Sequence, residues 1–154
     1  MDREMLATQL ILDEGMRLIP YHDSRGCLTV GVGHLVLAQD QLISHHPITP
    51  GRATSFLDQD ISRALQGCYM LWPDFADLPE EAQQVLANMA FQLGYPRLRT
   101  FHHLVAAVMA QHWAAAGVAM RTSLWYRQTP GRAERLARRM EAIDLQDTNA
   151  VSTA

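Results

Sequence analysis

Lysine is absent from this sequence of 154 residues, so all 13 basic side chains are arginines, and they stand against 16 carboxylates for a net charge of −3. A chain without a basic excess lacks the electrostatic basis for binding nucleic acid, and we expect no such partner. The charge is unevenly distributed, with 5 arginines and 12 acids in residues 1–90 but 8 arginines and 4 acids in residues 91–154. Only the second part is therefore suited to attract an anionic polymer.

Cysteine and long apolar runs are also scarce. Cys27 and Cys68 are the two cysteines and lie far apart, which argues against a disulfide framework and predicts free thiols in a reducing compartment. Residues 1–10 are charged and lack an apolar core, so we expect neither a signal peptide nor membrane insertion. His45 and His46 are adjacent and have no further ligands at hand, so we expect no metal site there.

Enough apolar residues are present for a buried core, since 48% of the chain is hydrophobic, as one domain or as two small lobes. A long helix is predicted from Pro50, with Thr49 as its N-cap, to about Leu71. Further helices are predicted from Pro79, over 101–112, over 113–121 and from Pro130, and the polar tail 144–154 is predicted to be disordered.

Glu14 has an unusual setting for a carboxylate. It falls on the same face of a predicted helix as Ala7, Leu10 and Ile11, and Gly15 after it is a typical helix stop. Burial against apolar neighbours favours the protonated form of a carboxylate, which is the form that donates a proton. A solvated helix-end residue is the ordinary alternative for a glutamate at such a position.

Asp23 has the opposite setting, in a D-S-R-G turn between an extended run, residues 17–22, and an alternating run, residues 27–33. We expect it to stay ionised, although many aspartates in such turns only form the turn. The alternation places Thr29 with Gly31 and Gly33 on a face of small residues, predicted to be open to a ligand. One neutral and one charged carboxylate is the arrangement used in glycoside hydrolysis.

The stretch from Glu14 to His34 resembles the active-site segment of phage-type (T4-like) lysozymes, the endolysins of glycoside hydrolase family 24. Their signature runs E-G-x-R-x-x-x-Y-x-D, then a short turn with Gly, then T-x-G-x-G-H. Every fixed position is present here: Glu14, Gly15, Arg17, Tyr21, Asp23, Gly26, Thr29, Gly31, Gly33 and His34. Residues 125–133 resemble the family's W-Y-x-Q-T-P-x-R-A, and residues 91–94 its F-Q-x-G.

The resemblance implies an α+β, mainly helical, two-lobe fold in one domain. A small β-hairpin lobe (about 15–49) and a helical lobe (about 1–14 plus 72–143) would be joined by the long helix. It implies the catalytic residues Glu14, Asp23 and Thr29, the substrate-binding residues Leu35, Phe91, Gln92 and Arg132, and a structural ion pair between His34 and Asp60. Core packing is the alternative for Phe91, and a solvated edge of the long helix is the alternative for Asp60.

Two departures from the family pattern concern the substrate. Leu104 and Ala119 stand where T4-like sequences have polar contacts, and the connection after His34 is shorter by roughly ten residues. Both departures indicate that substrate preference differs from that of T4-like enzymes.

The function that the resemblance implies is that of a muramidase, which cuts the β-1,4 bond between N-acetylmuramic acid and N-acetylglucosamine in peptidoglycan. Glu14 would protonate the leaving oxygen while Asp23 and Thr29 activate a water, which gives inversion; a covalent intermediate on Asp23 is the competing route. We expect a monomer without cofactor or metal, made in the cytoplasm and acting in the periplasm. A lytic transglycosylase, a non-catalytic peptidoglycan-binding module and a secreted antibacterial effector stay open as alternatives.

Overall fold

A computed structural model describes residues 1–43 and 45–152, with side chains up to Asp144. The chain is mainly helical with one small antiparallel sheet, which confirms the α+β class. The strands are β1 (Arg17–His22), β2 (Leu28–Gly31) and β3 (His34–Leu35). The helices are α1 (Arg3–Glu14), α2 (Pro50–Leu71), α3 (Glu80–Leu93), α4 (Tyr95–Leu98), α5 (His102–Met109), α6 (Trp113–Arg121), α7 (Leu124–Gln128) and α8 (Pro130–Ser152).

Contacts divide the chain into two compact units, and we describe each by itself. The sheet unit comprises Arg3–Arg63, and the helical unit comprises Met1–Asp2 with the chain from Ala64 onward. Helix α2 begins in the sheet unit, and its last eight residues belong to the helical unit. The lobe boundaries that the sequence suggests stay a prediction.

In the sheet unit the strands lie in the order β1-β2-β3, and Thr29 is paired with Tyr21 on one side and with Leu35 on the other. Strand β1 has the predicted bounds, whereas β2 is shorter than the alternating run because Val32 and Gly33 form the turn to β3. A small apolar cluster supports the sheet and consists of Val30, Ile48, Ala53 and Phe56.

The prediction of an open face at Thr29 is wrong. Thr29 is only 5% exposed and Gly31 is buried as well. The reason is that α2 packs on this face: a Cβ at Gly31 would lie 3.5 Å from the Cβ of Ala53. Glycine at position 31 therefore serves helix packing, and of Thr29, Gly31 and Gly33 only Gly33 is exposed.

Helix α2 begins as the sequence predicts, because the hydroxyl oxygen of Thr49 accepts a hydrogen bond of 3.1 Å from the backbone N–H of Arg52. Its buried side chains recur at helical spacing. They are Ala53, Phe56, Leu57, Ile61, Ala64 and Cys68. The helix continues to Leu71, two residues before Pro73.

The helical unit is built around α3, which is buried on nearly every side. Residues of α5, α6, α7 and α8 complete one large apolar cluster with it. The prediction of one helix over 101–112 was too long, because α5 ends at Met109 and Gln111 has a left-handed backbone with φ of 54°. Helix α8 is continuous to Ser152, through most of the tail predicted to be disordered; residues 153–154 lie outside the described residues.

Candidate active site

Glu14 is the last residue of α1. Gly15 ends the helix with a left-handed backbone, φ of 72°, and its N–H donates to the carbonyl oxygen of Ile11 at 2.9 Å. The half-buried carboxylate of Glu14 lies against the turn between β2 and β3, where a Cβ on Gly33 would be 3.3 Å from Glu14 Oε2. Glycine at position 33 therefore leaves space for this carboxylate.

Asp23 is held by the turn that it begins. Its Oδ1 accepts hydrogen bonds from the backbone N–H groups of Arg25 at 2.8 Å and Cys27 at 2.9 Å, and Gly26 has a left-handed φ of 80°. The Cys27 N–H is the main cause that lowers the pKa of Asp23, partial burial opposes it, and Arg25 adds to the lowering. The downward shift agrees with the expectation of an ionised carboxylate, which stays a prediction.

Thr29 is joined to Asp23 through the backbone of one residue. The hydroxyl of Thr29 donates to the carbonyl oxygen of Cys27 at 3.0 Å, and the N–H of Asp23 donates to the same oxygen at 2.9 Å. Because its proton is used in this bond, the Thr29 hydroxyl presents only acceptor lone pairs to any other group. The thiol of Cys27, half-buried and free, has no part in these bonds.

His34 lies between two carboxylates. Its ring is 2% exposed, with Nδ1 2.7 Å from Asp60 Oδ2 and Nε2 3.1 Å from Asp40 Oδ2. Burial alone would lower the pKa of His34, but the two carboxylates outweigh it and the net shift is upward. His34 and Asp60, which the family resemblance pairs, are thus in contact; their role as a structural ion pair stays a prediction.

Asp40 was not predicted from the sequence. It ends a short 3₁₀ turn, Ala38–Asp40, and its Oδ2 accepts the backbone N–H of Leu37 at 2.6 Å. An aspartate three residues after the start of a turn is a recognisable capping signal. The contact with His34 has no such local signal, because it depends on how the segment between β3 and α2 folds back toward the His34 ring.

The predicted substrate-binding residues are divided between the two units. Leu35 is 51% exposed on β3 of the sheet unit. Phe91 is half-buried against the core of the helical unit, and the side-chain oxygen of Gln92 accepts the indole N–H of Trp125 at 2.8 Å. Arg132 Nε donates to the side-chain oxygen of Asn88 at 2.9 Å. The structure thus places Leu35 with the candidate catalytic residues, and the other three in the helical unit.

Asn88 is a second polar residue that the sequence analysis missed. It is completely buried on α3, although it lies outside that helix's apolar stripe and shares its face with Gln84 and Gln92. A buried amide of this kind needs a hydrogen-bond partner, which Arg132 supplies from a position 44 residues away. The only signal in the sequence was an asparagine in a predicted core helix.

A cavity of about 420 Å³ lies within the helical unit. Its apolar wall includes Phe101, Leu104, Ala119 and Trp125, and Arg97 contributes a basic group. Leu104 and Ala119, where the family resemblance leads us to expect polar substrate contacts, thus both belong to the apolar wall of this cavity.

Within residues 1–43 and 45–144, whose side chains are described, no group of three or more His, Cys, Asp and Glu residues is arranged to hold a metal ion. Among the helices of the described chain, none combines the length and the apolar character that crossing a membrane requires.

Comparison with known proteins supplies independent evidence. The family model described as "Phage lysozyme" matches residues 12–142. The pre-baseplate central spike protein Gp5 of Enterobacteria phage T4 is 33% identical over 152 residues, covering 85% of this chain and 26% of that protein. Probable T4-type lysozyme 1 of Dictyostelium discoideum is 27% identical over 146 residues, covering 80% and 86%.

A further relative is the peptidoglycan hydrolase gp36 of Pseudomonas phage phiKMV. It is 33% identical over 127 residues, which are 82% of this chain and 14% of gp36. The chain thus spans about a quarter of the T4 protein and about a seventh of gp36, but most of the Dictyostelium protein.

Proposed function

We propose, since this chain belongs to the phage lysozyme family, that it is a muramidase hydrolysing the β-1,4 bond between N-acetylmuramic acid and N-acetylglucosamine in peptidoglycan. Two relatives are named as a peptidoglycan hydrolase and as a probable T4-type lysozyme, and both names support this substrate. The observation that carries the proposal is the sheet unit itself. It holds one half-buried carboxylate at a helix end and one ionised carboxylate in a turn tied to a threonine.

Glu14 is the proton donor in this proposal. Its carboxyl group lies at the end of α1 and against the backbone of Gly33, so both elements set its position. In the reaction it gives its proton to the bridging oxygen between the two sugars as the C1–O bond breaks. Gln at this position would keep the shape and remove the proton.

Asp23 and Thr29 position the attacking water. Both present acceptors, because Asp23 is ionised and the Thr29 hydroxyl proton is already donated to Cys27. A water that donates one hydrogen to each has a lone pair free for C1, and Asp23 takes its proton as the C1–O bond forms. Attack on the face opposite the leaving oxygen inverts the anomeric centre and first releases the α-anomer.

Four side chains bind sugars in this proposal: Leu35 of the sheet unit, and Phe91, Gln92 and Arg132 of the helical unit. The amide oxygen of Gln92 is already used by Trp125, so its NH₂ group is the part available to a sugar hydroxyl or N-acetyl oxygen. Arg132 would face an anionic or carbonyl group of the glycan, and Leu35 and Phe91 would pack on the sugar rings. No step in this mechanism uses a metal ion or cofactor.

The test is lysis of outer-membrane-permeabilised Gram-negative cells, followed by turbidity. Glu14→Gln should lose activity by roughly 10²–10⁴-fold, the usual contribution of general acid catalysis. Glu4→Gln, in the first turn of the same helix, is the matched control and should lyse like the wild type. Equal lysis by wild type and Glu14→Gln would remove Glu14 from the mechanism.

The reaction products distinguish hydrolysis with inversion from hydrolysis with retention and from lytic transglycosylation. Early ¹H NMR spectra of digested glycan strands should show the α-anomer at the new reducing end if the water attacks directly. The β-anomer would indicate a covalent intermediate on Asp23. A product lighter by one water, without a reducing end, would identify a lytic transglycosylase instead.

A non-catalytic or structural module of a larger particle is the second candidate function. It is favoured by the relative named as a pre-baseplate central spike protein, of which this chain spans 26%. Inactivity of both wild type and Glu14→Gln, together with co-sedimentation with purified peptidoglycan, would support it. An endolysin and a secreted antibacterial effector would catalyse the same reaction, and they would differ in how the enzyme reaches the periplasm.

A further inference from the structure

We propose that Asp40 is a positioning residue: with Asp60 it holds His34 in its doubly protonated form, and His34 in turn fixes the turn between β2 and β3 against the Glu14 carboxylate. The first half of this proposal concerns the folded chain alone, and its consequence for catalysis rests on the proposed function. Asp40 lies outside the family signature on which the catalytic assignment is based.

The ring of His34 makes two contacts that only an imidazolium can satisfy. A neutral imidazole has one N–H donor, and its other nitrogen is an acceptor, whereas a carboxylate only accepts. Here Nδ1 is 2.7 Å from one carboxylate oxygen and Nε2 is 3.1 Å from another. Loss of either proton would therefore bring a nitrogen lone pair against an anionic oxygen in a buried site.

The ring has little freedom to leave this position. It stacks flat on Phe56, with ring centroids 4.1 Å apart and an angle of 4° between the planes. It is also almost fully shielded from solvent. Water consequently offers no replacement for either carboxylate, so the electrostatic contribution of each contact is larger than at a surface.

Asp40 is fixed from two sides. Its carboxylate accepts the Leu37 N–H, and its backbone oxygen accepts a side-chain hydrogen bond from Arg52. Gln41 then has a left-handed backbone, φ of 51°, which turns the chain away. Burial raises the pKa of Asp40, but the Leu37 N–H and His34 outweigh it, so the net shift is downward and the carboxylate is ionised.

In the described chain, the charged groups that face His34 lie on the two elements packed against its ring, the 3₁₀ turn and α2. Asp40 approaches from the 3₁₀ turn and Asp60 from α2. Arg63 bonds the other oxygen of Asp60 at 2.9 Å, and Arg52 bonds the Asp40 backbone. Arg52 also lies over the ring of Phe56, 5.4 Å from its centroid, while both nitrogens of the His34 ring contact carboxylates, which favour the protonated form of the ring.

The connection to the candidate active site is short. His34 directly follows Gly33, whose backbone lies against Glu14, and His34 is paired with Val30, the neighbour of Thr29. Movement of the ring would therefore shift the backbone that positions the proton donor and the hydroxyl. Asp40 acts only through His34, which makes it a positioning residue rather than a catalytic one.

The sign of the pH dependence follows from the geometry. Because the pKa of His34 is raised in the folded protein, the contacts contribute stability fully below the unfolded pKa, about 6.5. This stability is lost as the pH rises through the folded pKa. The positioning of Glu14 and Thr29 should weaken over the same alkaline range.

The experiment follows the two ring nitrogens of His34 in the full chain by ¹⁵N NMR during a pH titration, with the Gly33 amide and the Glu14 carboxyl carbon as reporters. In the wild type we expect both nitrogens to be protonated at neutral pH. Both reporters should respond at the pH at which the ring titrates.

Asp40→Asn is the informative variant, because the amide oxygen still accepts the Leu37 N–H while the charge is removed. Its His34 midpoint should fall by about one pH unit or more. The alkaline limb of the kcat/KM profile for peptidoglycan should fall with it. Asp58→Asn removes an exposed carboxylate of α2 that pairs with Arg3, and it should change neither property.

Three results would overturn the proposal. One is a neutral His34 in the wild type at pH 7, which needs no variant. Another is a His34 midpoint unchanged by Asp40→Asn in a folded protein. The third is a Gly33 amide and a Glu14 carboxyl signal that do not respond to the titration. A wild type without hydrolytic activity would instead contradict the proposed function, and the NMR results would still decide the role of Asp40.

Discussion

The sheet unit and the helical unit are stabilised by different interactions. The helical unit has one large apolar cluster that includes Leu86, Met89, Trp125 and Leu136. The sheet unit has a small apolar cluster beside its strands, and its buried polar side chains, Thr29 and His34, lie at the candidate active site, whereas those of the helical unit lie on α3: Gln83, Gln84 and Asn88. Both units contain buried hydrogen bonds, and the comparison teaches that those of the sheet unit, which have directions that apolar contacts lack, lie beside the candidate catalytic carboxylates.

The largest effect that we predict on stability comes from a substitution in the core of the helical unit. Leu136 is completely buried, so Leu136→Ala should lower the free energy of unfolding by about 2–5 kcal/mol. Urea denaturation followed by circular dichroism measures the change. At temperatures where the variant is folded, its kcat on peptidoglycan should be close to that of the wild type.

Leu124→Ala is the matched control for this substitution, because Leu124 is 58% exposed and its truncation should cost less than about 0.5 kcal/mol. If Leu136→Ala also abolished kcat while remaining folded, the site would depend on the helical core more than we propose.

A second prediction concerns the glycines with left-handed backbones. Gly33→Ala places a methyl group 3.3 Å from Glu14 Oε2 at φ of +67°. The backbone strain should cost roughly 1–2 kcal/mol of stability. Activity should fall about tenfold, because the added methyl group displaces the Glu14 carboxylate by less than about 1 Å. A misplacement of about 1 Å can lower the rate about a hundredfold.

Gly94→Ala separates these two effects. Gly94 has a similar φ of +71° in the helical unit, and a Cβ there would meet only Pro96 at 3.7 Å. Because Gly94 has a ψ of 158°, in a region of backbone conformation essentially restricted to glycine, Gly94→Ala should lose at least as much stability in urea denaturation as Gly33→Ala, and yet only Gly33→Ala should lose activity. Equal activities of the two variants would show that glycine at position 33 is needed for folding alone.

The parts of the fold that were predictable have local causes. The start of α2 follows from Thr49-Pro50, and the end of α1 follows from Gly15, because caps and stops are properties of a few adjacent residues. Strand β1 was predicted with its full bounds from one extended run.

What could not be predicted depends on distant parts of the chain. The burial of Thr29 requires Ala53 to pack on Gly31, which no local pattern reports. The partner of Asn88 is Arg132, and Asp40 meets His34 only after the connection has folded back. Even α7 was missed, because five residues are too few for a helical period to be recognised.

The smallest effect that we predict is a dependence of stability on alkaline pH. It arises from the one buried thiol of the helical unit and not from the half-buried thiol of the sheet unit. Burial raises the pKa of Cys68, in the helical unit, to about 12, whereas Cys27 of the sheet unit is half-buried. Because the unfolded chain ionises its thiol near pH 9 and the folded chain does not, stability should decrease by about 1 kcal/mol per pH unit above pH 9.

Cys68→Ala should reduce this alkaline slope, and Cys27→Ala should leave it in place. A thiol reagent at pH 8 should accordingly modify Cys27 in the native protein and Cys68 only after denaturation. Rapid modification of Cys68 in the native protein would mean that the helical unit opens more readily than its large apolar core suggests, and the contrast between the two units would have to be reversed.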